Sequence, residues 1–484
     1  MELLYDAEWV GADIGRPLSL SLPFNLQNLP LKGEKVANYF DNLLPDSDAI
    51  RRRVAERFRT GSTDPFDLLR AIGRDCIGAV QVLDENEVPT GFDHIEGVPL
   101  SEDDIERHLI ETVAPQAFIA GRNPDADFRI SLAGAQEKTA FLRWGGQWLA
   151  PRGATPTSHI FKLPLGLMGG RRADFSTSVD NEWLCLRLLK AYGLNVAQAR
   201  IATFGRQRVL MVERFDRRVA PNGQWLMRLP QEDFCQVEGC SPLLKYENEG
   251  GPGLKALFAT LRQSINAETD MKTLMAAQVL FWLLRAPDGH AKNFGIQLLP
   301  RGRFQLTPLY DVMSVYPVLG DGPNQWSPYE VKAAMALLGK SRYYEMHGIQ
   351  RRHFNSTAQK VGYASTAESI IEELLARTPT AIAEVQAELP QDFSPRVADA
   401  ILGGLEQAAK TLGAIAISGN RSGQPSHRSN KAAITPSASS INTPPETRST
   451  HGSTRAKRRS TAGLPISMAI SKSHSKTTLN IQTP

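Results

Sequence analysis

An acid and an amide five positions apart constrain this chain more than any other feature. Asp288 and Asn293 stand in Ala286-Pro287-Asp288-Gly289-His290-Ala291-Lys292-Asn293-Phe294, directly after the apolar run 271–284. The run reads as a buried helix. Pro287 disfavours helical geometry in the residue before it, so Asp288 should emerge on a loop anchored by the core. In a phosphotransferase catalytic loop the acid takes or orients the acceptor's hydroxyl proton, and the amide oxygen holds a magnesium ion. That metal needs a second carboxylate, and Leu306-Thr307-Pro308-Leu309-Tyr310-Asp311 supplies one after a short apolar segment. Alone, an Asp with an Asn five later reads as a solvated turn. The apolar run before it and Asp311 after it favour the chemical reading.

The order of periodic segments points to two lobes. Runs 128–132, 139–143, 159–163, 199–204 and 208–214 are β-like and separated by turns. One helix interrupts them at 179–192, closed by Gly193. Beyond about residue 245 the pattern is mostly helical, at 253–263, 271–284, 364–375, 379–387 and 394–412, with a hairpin-like pair at 294–300 and 304–308. Ahead of the β-rich part, 19–22 alternates like a strand, and 36–44, 49–58, 66–72 and 102–112 read as helices, followed by a linker at 121–127. The expected class is α+β: a two-lobed protein-kinase-like fold with a β-rich N-terminal part, an all-helical C-terminal lobe and a nucleotide site between them. The expected units are 1–118, 119–245, 246–415 and 416–484.

Composition bears on the last of these. From Ser418 to Pro484 ten Lys or Arg stand against Glu446 alone, so the +4 of the 484-residue chain conceals a remainder with 45 basic and 50 acidic residues. This Ser/Thr/Pro-rich tail is expected to be disordered. Its run Arg455-Ala456-Lys457-Arg458-Arg459 could touch nucleic acid or an anionic surface, the alternative being a solvated appendage. No stretch approaches the length of a membrane span, and the first residues lack the basic start of a signal peptide. Cys76, Cys185, Cys235 and Cys240 are scattered without metal-ligand spacing, which suits a reduced cytoplasm.

A Mg-ATP phosphotransferase also needs a phosphate cradle and a cation. Ser131-Leu132-Ala133-Gly134-Ala135-Gln136-Glu137-Lys138-Thr139 lies between two β-like runs and is small at its centre, so backbone can approach phosphate there. It is no Walker motif, because Glu137 stands where glycine is required. A tight hairpin with a solvated Lys138 explains it equally well. Lys162, inside an apolar strand, would point to solvent or onto the α/β-phosphates. Glu213, Arg214 and Phe215 end the β-rich part as a plain edge strand or as the segment that meets adenine. His290 could orient Asp288, and Lys292 could neutralise phosphate or lie exposed.

With these pieces in order, the chain resembles the HipA family of serine/threonine kinase toxins from bacterial toxin–antitoxin pairs. Segments 5–9, 16–23, 40–47, 65–69, 72–75 and 78–80 resemble its N-terminal domain. Segments 131–139, 159–164, 178–182, 212–217, 228–233, 250–253 and 288–294, with Tyr310 and Asp311, resemble its kinase part. The resemblance implies that Ala133, Gly134, Ala135, Gln136, Glu137 and Lys138 form a phosphate loop, and that Lys162 holds the α/β-phosphates. It implies Glu213, Arg214 and Phe215 at adenine, and Asp288 as base. His290, Ala291, Lys292, Asn293, Tyr310 and Asp311 would line the site, with Asn293 and Asp311 on Mg²⁺. Ser131 matches the family's autophosphorylated serine, whose modification expels the loop and switches the kinase off. The implied substrate is glutamyl-tRNA synthetase, whose phosphorylation arrests growth. The implied partner is a HipB-like helix-turn-helix antitoxin that anchors both proteins to operator DNA.

Two departures stand beside the resemblance. The family's first strands are not found before 16–23, and the basic tail after Leu412 is unlike the family's short C-terminus. They motivate an alternative, a catalytically silent corepressor that binds its antitoxin on DNA. A small-molecule kinase sharing the loop spacing is a third reading, against which the Ser131 motif argues.

Overall fold

The computed structural model describes residues 1–84, 87, 92–113, 131–419, 466–471 and 478–483. A first apolar core gathers Leu3, Tyr5, Phe40, Leu68 and their neighbours. Helix Pro65–Ile72 shows why local sequence suffices there: Asp64 accepts the amide of Phe66 as N-cap, and proline opens the first turn where no N–H is needed. Its buried Phe66, Leu68, Leu69 and Ile72 then face that core.

The β-rich lobe is one antiparallel six-stranded sheet, in the order Ala199–Phe204, Gln207–Glu213, His159–Lys162, Lys138–Trp144, Gln147–Pro151 and Gly97–Leu100. Phe141, Phe161, Phe204 and Val209 form its own cluster with Ile105 and Leu109 of helix Glu102–Val113. The largest core runs from helix Ser178–Ala191 into the C-terminal lobe, where helix Ala267–Leu283 is buried along most of its length.

The fold class is the one the sequence indicates, with corrections in detail. The C-terminal lobe is not all helical. It holds a three-stranded sheet, Gln231–Asp233, Gly295–Leu298 and Phe304–Leu306, and a hairpin of Lys332–Leu338 with Arg342–Glu345. A boundary at 118 falls too late, because Gly97–Leu100 hydrogen-bonds to Gln147–Pro151 and the following helix packs on the same sheet. Residues 19–22 form a turn: the Ser19 and Ser21 hydroxyls donate to the Gln236 carbonyl, competing with any ladder. Segments 364–375 and 379–387 merge into one helix, Glu368–Ala387, that carries Pro379 inside it. Burial of Ile370, Ile371 and Leu374 before the proline, and of Ala381 and Val385 after it, outweighs the lost hydrogen bond. The linker 121–127 and most of the strand expected at 128–132 lie outside the described residues.

The tail departs furthest from expectation. Helix Pro395–Gly419 extends into it, and strands Ile466–Ser471 and Thr478–Thr483 pair with each other. The first also pairs with Glu2–Tyr5 and the second with Gln81–Asp84, giving a five-stranded sheet completed by Leu31–Lys32. A period-2 alternation was present in Ile466-Ser467-Met468-Ala469-Ile470-Ser471, but Ser/Thr-rich composition masked it. The basic run at 455–459 lies outside the described residues. No helix among the described residues is long and apolar enough to cross a membrane.

Candidate active site

A cleft between the six-stranded sheet and the helical lobe collects nearly all the residues singled out by sequence. Its floor is set by strand pairing. Lys138 and Lys162 are direct cross-strand partners, which puts two ammonium groups side by side. The Lys162 ammonium donates to Glu182 Oε1 at 2.6 Å and to Asp311 Oδ1 at 2.7 Å. Burial works against its charge, but Asp311 and Glu182 outweigh burial and raise its pKa. Burial opposes ionisation of Asp311 too, yet Lys162 and Lys138 hold its carboxyl well below the usual carboxylate range. Glu182, desolvated on helix Ser178–Ala191, is pushed up to about 7. Burial, with Lys162 alongside, brings Lys138 down to about 8.

The loop 133–138 is held from outside the lobe. Asp46 donates its backbone N–H to the Gly134 carbonyl at 3.0 Å, and Ser131 donates its own to Asp75 at 3.2 Å. Gly134 sits at φ +106°, a backbone conformation that favours glycine, and a Cβ there would fall 2.6 Å from Lys138 Nζ and displace that ammonium. Gln136 donates to the Leu163 carbonyl at 2.5 Å and closes the loop on the sheet.

At the other wall, helix Ala267–Leu283 ends and Arg285 turns at φ +48°, after which Asp288 leaves the core as the proline rule requires. The Asn293 side-chain amide donates to the Asp288 carbonyl at 2.7 Å, and among the described residues its oxygen has no hydrogen bond. His290 Nε2 lies 3.8 Å from Asp288 Oδ1. Burial lowers the His290 pKa and keeps the ring neutral. Asp311 adopts φ +59°, strained backbone for a non-glycine residue of the kind that concentrates at functional sites. Phe215 and Tyr310 stack at a tilt, 5.7 Å between centroids, where Glu213 ends its strand.

Some expected residues play other parts. Glu137 pairs with Arg53, turning away from the cleft, and Ala291 is packed wholly in the core. Lys292 lines the cleft, but its ammonium is occupied by Asn42, at 2.9 Å to the side-chain oxygen, and lies 3.5–3.6 Å from Asp46 and Asp233. Arg214 sends its guanidinium to Asp75 and Asp216, so only its backbone is left for a base. Ser131 is fully buried, donating to the Leu43 carbonyl at 2.8 Å. Sequence reasoning missed Glu182, Asp46, Lys245 and Tyr246. Glu182 carried a signal, as an acid at the start of the one helix in the β-rich part, and Asp46 lies in the segment 40–47 that resembles the family. The rest come from distant segments.

The residues present fit a magnesium nucleotide. The two lysines would meet phosphate, while Asn293 and Asp311 offer oxygens for the metal. His290 Nδ1 is buried without a hydrogen-bond partner among the described residues, on a ring that lines the cleft.

Comparison with known proteins agrees with this geometry. The HipA-like C-terminal domain profile matches residues 130–382, and the HipA N-terminal domain profile matches residues 1–83. A Sinorhizobium fredii protein named "Putative kinase Y4mE" is 33% identical over 321 residues, covering 65% of this chain and 73% of the relative. The serine/threonine-protein kinase toxin HipA of Shewanella oneidensis is 29% identical over 405 residues, covering 80% of this chain and 84% of the relative. A solved structure of the Shewanella oneidensis MR-1 toxin–antitoxin system HipA, HipB and operator DNA shares the fold, with TM-score 0.66 at 24% identity over 84% of this chain and 94% of that one. Cleft, profiles and relatives agree: the chain belongs to the HipA family.

Proposed function

We propose that the protein is an ATP-dependent serine/threonine kinase and the toxin of a toxin–antitoxin pair. The observation that carries this reading is the Lys162–Glu182–Asp311 cluster, which faces Asp288 and Asn293 across one cleft. ATP held with magnesium supplies the transferable γ-phosphoryl group. Lys138 and Lys162 then neutralise phosphate charge, while Asn293 and Asp311 hold the metal. Gly134 lets the loop backbone approach, and Phe215 with Tyr310 offers a flat apolar wall to adenine. Asp288 receives the proton of the acceptor serine as its oxygen bonds to phosphorus and the bond to the β-phosphate breaks. Catalysis is positioning plus charge stabilisation, without a covalent enzyme intermediate.

The acceptor indicated by the family is a serine of glutamyl-tRNA synthetase, whose modification would arrest growth in the cytoplasm. Ser131 is the autophosphorylation site. A HipB-like antitoxin is the partner, consistent with the HipB and operator DNA in the relative's complex, and DNA is reached mainly through it.

The test is the intact mass of the protein after incubation with Mg-ATP, beside Asp288→Asn and Ser131→Ala. The expected result is a gain of one phosphate in the wild type and none in either variant. Folded, initially unphosphorylated wild type that gains nothing would overturn the kinase reading in favour of a silent corepressor.

A further inference from the structure

One contact to Asp288 has no part in the chemistry described so far. Between the helical turns Pro242–Leu244 and Glu247–Glu249, Tyr246 donates its hydroxyl to Asp288 Oδ1 at 2.5 Å. The residue is clamped in place. Its ring meets His290 edge-on, 5.1 Å between centroids at 83°. Its carbonyl accepts the amides of Glu249 at 3.1 Å and Gly251 at 3.0 Å, while Lys245 before it donates to Asp46 at 2.9 Å. Burial, with the Asp288 carboxylate next to it, raises the phenol far above its ordinary pKa, so the hydroxyl remains a donor.

A carboxylate turns easily about its last torsion, and a base that must meet an incoming hydroxyl loses rate through that freedom. Both protein groups that approach Asp288, the Tyr246 hydroxyl and the His290 ring, do so at Oδ1; among the described residues Oδ2 takes no hydrogen bond. The Asp288 side chain stays 45% exposed with the Tyr246 contact formed. The phenol therefore does not cap the base, as an inhibitory plug would. Resting on the kinase reading above, we infer that Tyr246 is a positioning residue for transfer, pinning Oδ1 of Asp288 so that Oδ2 meets the acceptor hydroxyl.

The experiment follows phosphate incorporation from labelled Mg-ATP into the full chain, comparing wild type with Tyr246→Phe. Affinity for a fluorescent ATP analogue and the melting temperature are measured on the same samples. The expected result is a maximal rate lowered about 10- to 100-fold, with KM for ATP and analogue affinity within about twofold of wild type and melting unchanged. An undiminished or faster rate overturns the role, the faster rate marking Tyr246 as a plug. A slow rate with a matching loss of nucleotide affinity or of melting temperature also overturns it, in favour of a structural part. No transfer by the wild type would bring down the kinase reading itself, whereas active wild type beside an unaffected Tyr246→Phe sinks the positioning role alone.

Discussion

The Ser131 hydroxyl donates to the main-chain oxygen of Leu43 at 2.8 Å, with the serine entirely enclosed. A hydroxyl so placed cannot take phosphate while the loop is docked, so modification requires the loop to leave. Once modified it carries about two negative charges, which that enclosure cannot accept unpaired. Ser131→Asp should therefore weaken Mg-ATP binding at least about tenfold by keeping the loop undocked. Calorimetric titration giving wild-type affinity would contradict this.

Asp288→Asn keeps the side chain's shape and its reach to Tyr246 but removes the proton acceptor. Transfer should slow by roughly 10²–10⁴ with folding intact. A variant as fast as the wild type would mean that Asp288 is not the base.

Lys162 is held by two acids, Glu182 and Asp311, at 2.6 and 2.7 Å. Replacing it by Met leaves both carboxylates without their buried cation, an imbalance that costs about 3–5 kcal/mol where it is not relieved. Phosphate transfer should fall by at least about 10²-fold, and Glu182 should protonate. Infrared spectra of the variant at pH 7 should show added carboxylic-acid absorption. Unchanged transfer kinetics would remove Lys162 from the site.

Asp75 fixes the N-terminal segment to the end of the β-rich lobe. Its carboxylate accepts from Arg214, Arg217, Arg228 and Thr157, while Asp216 pairs with Arg214 and accepts the Gly78 amide. Burial opposes its charge, but Arg217, Arg214 and Arg228 hold the carboxyl well below its ordinary range. Asp75→Asn should destabilise the fold by about 3–5 kcal/mol, because three buried guanidinium groups are left with one acid. Since the folded pKa is depressed, this contribution is present above the unfolded value of about 3.9 and lost as pH falls below it. Denaturant melts at pH 7 and pH 3 should show the gap between wild type and variant narrowing at the lower pH. A constant gap would reject the ionic origin.

The C-terminal hairpin separates Glu2–Tyr5 from Gln81–Asp84 and pairs with both. A chain ending at Gly419 leaves two strand edges unpaired. The Val82 amide donates to the Gly73 carbonyl at 2.8 Å, so its neighbour Leu83 turns its amide to the hairpin. The Leu83 amide should then exchange with solvent faster than in the full chain, while those of Val82 and of helix Ala267–Leu283 stay protected. Equal exchange at Leu83 would show that the hairpin contributes nothing to this sheet.

What the sequence determined by itself is local in origin. Helix Pro65–Ile72 follows from its Asp64 cap and its apolar spacing, and the emergence of Asp288 follows from a buried helix stopped before a proline. Strand Ala199–Phe204 and the acid–amide spacing of 288 and 293 were legible for the same reason: each depends on residues within a few positions. What the tertiary structure alone decided comes from pairs far apart in the chain. Glu182 meets Lys162 only because helix Ser178–Ala191 packs on strands Ala199–Phe204 and Gln207–Glu213, the second of which pairs with the strand of Lys162. Lys292, which looked free to meet phosphate, is claimed by Asn42, 250 positions earlier. The tail strands escaped because a two-residue alternation in a polar context gains stability only when partner edges exist, and those edges lie at the opposite end of the chain. Periodicity reports which face an element can bury, but burial and charge pairing depend on what folds against it.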